Sequence, residues 1–316
     1  MTQSISVSNP FDGSFIQDVP LVAESKIETA LEKSFTLFSN RKSWIPPYER
    51  IAILERLAVL LDRNKERLIA LAITEGGKPY RDTFIEVERA ISGVSLGVQA
   101  IHELHGKEIP MGLTKASQGF LGTSFREPRG VVVSFSAFNH PINLVIHQTV
   151  PAIAAGAPVI IKPSPATPLS CFEVVKLIHE AGLPEHWCQT FLCSNESAEK
   201  MVCDHRISYL SFIGSSTVGW QLRSLLAPGA RCALEHGGVA PVLIHDDVEL
   251  ETIIPNLLKG AFYHAGQVCI SAQKVFIPKA IFSKFCDSLL KHIATLKVGD
   301  PTEESTDVGP LIKISE

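Results

Sequence analysis

The chain has 316 residues, of which 45% are hydrophobic and 20% charged, with a formal net charge of −4. That length allows two domains with a large buried core, and the balance is that of an ordinary globular protein. No long basic run marks a nucleic-acid partner, and no stretch reaches the roughly 18 uninterrupted apolar residues of a membrane span.

The N-terminal stretch MTQSISVSNPFDGSF is polar and lacks the apolar core of a secretion signal. Residues 1–20 read as an extended arm, punctuated by Pro10, Gly13 and Pro20 and anchored by Phe11, Phe15 and Ile16. From about Val22 to about Leu104 the pattern is helical. Ile51, Leu54, Leu57 and Leu61 recur at steps of three and four, the stripe of an amphipathic helix. Gly76, Gly77 and Pro79 end that helix, and another begins near Tyr80 carrying Phe84, Val87 and Ile91. Residues 117–126, SQGFLGTSFR, look like an extended ribbon.

The pattern then changes. Val131, Val132 and Val133 predict a strand covered on both faces, as in a parallel sheet. Asn139 and Pro141 open a helix through about Ala155, and APVIIKP is a second buried strand. TPLSCFEVVKLIHEAGLP reads as a helix with Thr167 at its N-cap, Pro168 in its first turn and Gly182 just past its end. WCQTFL is a third strand, SAEKMV a short helix, ISYLSFIG a fourth strand and SSTVGWQLRSLL a helix, with RCALE and PVLIH as two more strands. This alternation predicts a doubly wound, Rossmann-like α/β domain, with its ligand at the carboxyl ends of the strands. After about Gly238 comes a second α/β region: a helix (Val248–His264), a short turn holding Cys269, the strand KVFIP and a helix (Ile281–Leu296). The last residues, KVGDPTEESTDVGPLIKISE, read as a polar loop that closes nothing, so the second domain is expected to be incomplete.

Seven cysteines, an odd number without CxxC pairs or metal-ligand spacing, predict reduced thiols in a cytoplasmic protein and no metal site. Most lone cysteines are small buried hydrophobes. Cys269 differs, because Gly266 permits a tight turn and the polar Gln267 and Ser271 flank it. A thiolate at a turn leading into a helix is activated by backbone N–H groups. Glu235 ends a strand before Gly237 and Gly238, where α/β active sites lie. It is either a solvated loop acid or, beside a thiol pocket, a base whose pKa desolvation raises. Asn139 is a turn residue or an oxyanion donor. Lys162, at the end of a buried strand, is a snorkelling surface charge or a ribose contact stiffened by Pro163. In FIGSSTVG, Gly214 lets the backbone approach a phosphate, and Ser215 and Ser216 open a helix N-terminus where anions bind, unless they are caps alone.

Taken in order, FNHP, IIKPSPATP, FIGSSTVG, LEHGG and GQVC resemble the aldehyde dehydrogenase superfamily. The spacings agree, with 34 residues from Glu235 to Cys269 and 23 from Asn139 to Lys162, and the likeness runs through nearly the whole chain. The resemblance implies oxidation of an aldehyde to a carboxylic acid with NAD or NADP. Cys269 attacks, the Asn139 side chain and the Cys269 N–H hold the oxyanion, and Glu235 activates water to release the thioester. Cofactor contacts are implied at Ser136, Ala137, Phe138, Lys162, Ser164, Pro165, Gly214, Ser215, Ser216, Val218, Gly219 and Gly237. The implied organisation is an N-terminal arm and helices of the cofactor domain (1–106), the start of an oligomerisation ribbon (107–128), a Rossmann-like cofactor domain (129–238) and the N-terminal part of a catalytic domain (239–316).

At several positions the chain departs from the family pattern. Pro165 stands where many NAD-preferring members have a Glu, which leaves NAD and NADP both open. Phe138 replaces a common Trp, and FNHP points to the branch with lactaldehyde-type enzymes. The usual ELGG is EHGG, placing His236 beside the proposed base. Family members continue beyond this length with a Glu-x-Phe-Gly-Pro segment that grips the nicotinamide ribose, so the chain is expected to be C-terminally truncated. A homodimer or homotetramer would then need the missing part. Three alternatives remain: a catalytically silent protein that binds a dinucleotide or a full-length subunit; a CoA-acylating relative, which Glu235 argues against; and a thiol-reactive esterase, in which the same Cys and Glu hydrolyse activated esters.

Overall fold

In the computed structural model, which describes residues 3–315, the N-terminal arm is a hairpin. Strand β1 (Ser4–Ser8) pairs antiparallel with β2 (Phe15–Pro20). Its anchors are Val7 and Val19, packed with Leu192, whereas Phe11 and Phe15 are exposed at the turn and Ile16 is half-buried. Four helices come next: α1 (Glu24–Ser39), α2 (Pro47–Arg63), α3 (Lys65–Gly76) and α4 (Tyr80–His102). Leu54, Leu57 and Leu61 of α2 are fully buried, as the stripe predicts, and Ile51 partly so. That helix ends at Arg63, not at Gly76. The Asn64 amide donates to the Leu60 carbonyl at 2.8 Å and breaks the run. Leu68, Ile69 and Ala72 of α3 continue the stripe into the same core, which is why the periodicity reads as one long helix. Gly77, at φ +67°, closes α3 in the left-handed conformation open to glycine.

Strands β3 (Glu108–Ile109) and β4 (Gly122–Thr123) form a short antiparallel pair, and the ribbon around them exposes Leu113, Phe120, Leu121 and Phe125. The chain then alternates: β5 (Val131–Phe135), α5 (Asn143–Ala155), β6 (Val159–Lys162), α6 (Pro168–Glu180), β7 (Cys188–Thr190), α7 (Asn195–Cys203), β8 (Ile207–Gly214), α8 (Ser216–Leu225) and β9 (Arg231–His236). The strands form one parallel sheet in the order β7-β6-β5-β8-β9. Successive strand residues point to opposite faces. Val132 therefore joins the core under α2–α6, while Val131, Val133 and Phe135 join the core under α1, α7 and α8. Helices cover both faces, so the unbroken valine run is buried throughout. The strand order reverses direction between β5 and β8, and that switch point leaves a crevice beyond the carboxyl ends.

PVLIH is not part of this sheet. Its β10 (Val242–Leu243) pairs in parallel with β11 (Val275–Phe276). Helices α9 (Leu250–Phe262) and α10 (Phe282–Ile293) pack beside them over a core of Ile254, Leu257, Leu258 and Phe285. The C-terminal stretch is also not a free loop. Pro301 accepts the Tyr80 N–H at 2.8 Å, Ile312 donates its N–H to Gln267 Oε1 at 2.9 Å, and Pro310 packs on Gly77. Among the described residues no helix is long and apolar enough to cross a membrane.

Two buried carboxylates set the helices that leave the switch point. Helix N-termini carry unpaired N–H groups that need acceptors. Glu86 takes those of Ile142 and Asn143 at 2.8 and 3.0 Å, so α5 starts at Asn143, not at Asn139. Glu75 takes those of Leu169 and Ser170 at 2.8 and 2.7 Å. Thr167 holds the expected N-cap position of α6, but its hydroxyl donates to the Phe138 carbonyl at 3.4 Å.

Candidate active site

A cavity of about 750 Å³ lies beyond the carboxyl ends of β5, β6, β8 and β9, and the turn 266–269 closes its far side. Cys269, Glu235 and Asn139 all line it, as do Ser136, Ala137, Phe138, Lys162, Ser164, Pro165, Gly214, Ser215, Val218 and Gly237. Ser216 and Gly219 do not reach its wall. Ser216 is the exposed first residue of α8, and Gly219 is buried where a Cβ would overlap the His236 ring. The glycine at 219 is thus required by the packing of His236 on α8.

The turn that carries Cys269 is built from left-handed backbone. His264, Ala265 and Gly266 have φ of 47°, 54° and 76°. Non-glycine residues in this region cost on the order of 1–3 kcal/mol each and persist where surrounding structure holds them. Here Asp82 accepts the His264 N–H at 3.3 Å, the Ser271 hydroxyl donates to Ala261 O at 3.1 Å, and Gln267 bonds the C-terminal stretch through its amide. The result presents Cys269 exposed at the cleft. No helix succeeds it: the chain runs through a turn to β11, so the expected activation by a helix N-terminus is not available. Cys203 is exposed as well, but it does not line the cleft, and three of the other thiols are enclosed. Cys171, Cys188 and Cys193 are buried, and burial pushes the Cys171 thiol up to about 12. All seven cysteines are free.

Asn139 faces Cys269's turn. Its Nδ2 donates to the Gln267 carbonyl at 2.9 Å, and its Oδ1 is buried without a partner. Its own carbonyl accepts from the Lys78 ammonium at 3.1 Å, and Lys78 is ion-paired with Glu86 in full burial. Desolvation lowers the Lys78 pKa, opposed by Glu86. Among the described residues no acceptor takes the Cys269 N–H.

Glu235 projects from the end of β9 and is exposed, so the burial expected to desolvate it is missing. His236, its neighbour, turns inward instead. Its ring stacks edge-on against Trp220 at 5.5 Å and Phe212 at 6.2 Å, and its Nε2 has no partner. His140 lines the cleft face to face with Tyr263 at 5.8 Å, and burial lowers its pKa to about 4, leaving a neutral ring.

Lys162 does not snorkel to the surface. It is buried, its ammonium sits 5.9 Å from the Phe135 ring centroid, and desolvation lowers its pKa. Ser215 caps α8 by accepting the Val218 N–H at 3.4 Å, so the helix N-terminus opens on the cleft. The residues present fit a dinucleotide. A buried cation and a helix N-terminus suit its phosphates and ribose hydroxyls. Ser136 Oγ and Asn139 Oδ1 are buried, unpartnered and cleft-lining, and Gly237 has open space where a side chain would stand.

Sequence reasoning missed Asn195 and Glu199 on α7 and Gln221 on α8, which line the same cleft. It also missed Lys78 and Glu86. Ordinary helical surface patterning gives no signal for the first three. The buried pair is formed across the corner between α3 and α4, which sequence periodicity does not reveal.

Comparison with known proteins bears on the family and the fold. The model of the aldehyde dehydrogenase family matches residues 1–316. The chain is 31% identical to 3-sulfolactaldehyde dehydrogenase from Priestia aryabhattai, over 99% of this chain and 65% of that protein. It is 32% identical to lactaldehyde dehydrogenase from Methanocaldococcus jannaschii, over 99% of this chain and 67% of that protein. The crystal structure of glyceraldehyde-3-phosphate dehydrogenase GapN from M. jannaschii, complexed with NADP, superposes with a TM-score of 0.92 at 31% identity, covering 100% of this chain and 68% of that one. The chain thus spans about two thirds of the length of the curated relatives it matches.

Proposed function

The chain belongs to the aldehyde dehydrogenase family, and on that premise we propose that it oxidises a small aldehyde to the carboxylic acid with NAD or NADP as acceptor. The observation that carries this reading is the shared cleft, into which Cys269, Glu235 and Asn139 open beside Lys162 and the N-terminus of α8.

The Cys269 thiolate attacks the carbonyl carbon. A C–S bond forms and the carbonyl electron pair moves to oxygen, giving a thiohemiacetal. The remaining Asn139 Nδ2 proton and the Cys269 N–H supply donors to that oxygen, and preorganised donors of this kind contribute roughly 3–4 kcal/mol each. A nicotinamide dinucleotide held by Lys162, Ser136 and the N-terminus of α8 would supply the hydride acceptor that oxidation of this adduct to a thioester needs. Glu235 takes a proton from the attacking water, the C–S bond breaks, and the acid leaves. Its exposure gives it access to water. A carboxylate in that position supports hydrolysis over transfer to CoA.

On this reading residues 129–238 hold the cofactor, 239–316 carry the nucleophile, and 107–128 begin a ribbon that supports a homodimer or homotetramer. The exposed Phe120, Leu121 and Phe125 support the self-association. Free cysteines throughout support a cytoplasmic setting. Pro165 places no carboxylate three residues after Lys162, so NADP stands beside NAD among the cofactors to test.

The test is reduction of NAD or NADP by purified protein with a panel of aldehydes that includes 3-sulfolactaldehyde and lactaldehyde, the substrates in the names of two relatives. Turnover that is lost in Cys269→Ala supports the reading, and turnover retained in that variant removes Cys269 from it. Binding of a cofactor with no turnover of any aldehyde favours the catalytically silent, dinucleotide-binding alternative.

A further inference from the structure

The end of the cleft away from Cys269 is formed by α7 and α8. Ala198 and Leu222 are buried there and Val218 is partly exposed, giving apolar walls for a flat ring. The rim holds one polar pair. Gln221 Nε2 donates to Glu199 Oε1 at 2.8 Å, a bond between two helices that steadies the Glu199 carboxylate. Among the described residues nothing bonds the second oxygen, Oε2, and no cation pairs with this side chain. An ionised carboxylate is an acceptor only. An apolar slot edged by a fixed acceptor suits a flat heterocycle that presents an N–H donor at its edge.

We infer that Glu199 recognises the exocyclic amino group of the adenine and makes the chain selective for adenine over hypoxanthine dinucleotides. This rests on the dinucleotide reading above. A ring that reacts beside Cys269 leaves the other base of an extended dinucleotide at the α7–α8 end. Adenine places an N–H₂ donor at its six position. Hypoxanthine places a carbonyl oxygen there, which meets the Glu199 oxygen lone pair to lone pair; its ring N–H lies one position away, so the donor is missing at the six position, where Glu199 accepts. A site built to accept a hydrogen bond discriminates against a ligand that lacks the donor, because its polar group is left unpaired.

The test is calorimetric titration with whichever of NAD and NADP the wild-type chain binds, and with its nicotinamide hypoxanthine counterpart. The wild type is expected to bind the adenine form about tenfold more tightly, the yield of one charge-assisted hydrogen bond at a partly exposed site. Glu199→Gln, whose amide donates or accepts, brings the two affinities together. Glu199→Ala weakens the adenine form and, with the lone-pair repulsion removed, strengthens the hypoxanthine form, so the two affinities converge. Glu199 is half-buried on the outer helix α7, so both variants keep their melting temperature. Equal affinities in the wild type, or a preference that survives both substitutions, overturn the assignment of Glu199 while the dinucleotide reading stands. Failure of either dinucleotide to bind the wild type overturns the dinucleotide reading itself and the assignment with it.

Discussion

The Gly238 N–H donates to the Cys269 carbonyl at 3.0 Å. This bond ties the loop after Glu235 to the turn that carries Cys269, and Gln273 N–H to Val239 O at 3.1 Å extends the same seam. The two proposed catalytic segments, far apart in sequence, are thereby held by two backbone hydrogen bonds.

Gly238→Pro removes the donor and should lower kcat. A displacement of about 1 Å at a reacting group costs on the order of 100-fold. Gly238→Ala keeps the N–H, and its Cβ would meet the Cys269 carbonyl at an ordinary 3.5 Å, so it should stay close to wild type. Steady-state rates of the two variants decide the matter. Equal rates would show that the seam does not position Cys269.

Lys78 and Glu86 form a buried pair that also holds the Asn139 carbonyl and the first N–H groups of α5. Breaking a buried pair from one side strands the other charge, at about 3–5 kcal/mol. Glu86→Ala should therefore destabilise by that order in urea unfolding, and more than Lys78→Met, because it also uncaps α5. Replacing both residues should cost less than the sum of the two single changes. Strict additivity in the double-variant cycle would contradict the coupling.

Burial raises the Glu75 carboxyl to about 7, against the lowering effect of its bonds from Ser170 and Leu169. A carboxyl whose folded pKa is raised binds protons more tightly in the folded state. Its contribution is full below the unfolded value of 4.5 and is lost as pH rises through about 7. The interval corresponds to about 3 kcal/mol. Glu75→Gln, neutral at every pH, should flatten the fall in stability of the wild type relative to the variant between pH 5 and 8. Parallel profiles of the two proteins would show that Glu75 titrates normally.

The parts of this molecule legible in the sequence are those set by local pattern. The valine run at 131–133 announces a strand buried on both faces, and FIGSSTVG announces a strand that turns into a helix at the cleft. The proposed cofactor side of the cleft is readable from strand ends alone, since ligands collect at that edge of a parallel sheet. Tertiary substitution hides the rest. Thr167 has the right residue type for a capping side chain, yet Glu75 takes that role from a helix remote in sequence. The apolar stripe runs across the break at Asn64 because α2 and α3 share one core. Cys269 lies in the cleft as its flanking residues suggest, but the reason for its exposure is strained backbone at His264 and Ala265, residues with no ordinary preference for that conformation.

On the proposed mechanism Cys269 carries the acyl group and Glu235 activates the water that removes it. The direct measurement is peptide mass analysis of Glu235→Gln after incubation with cofactor and aldehyde and an acid quench. An acyl adduct is expected on the peptide that contains Cys269, accumulating to a level the wild type does not reach. An adduct on a different cysteine, or hydrolysis in Glu235→Gln at the wild-type rate, would contradict that mechanism.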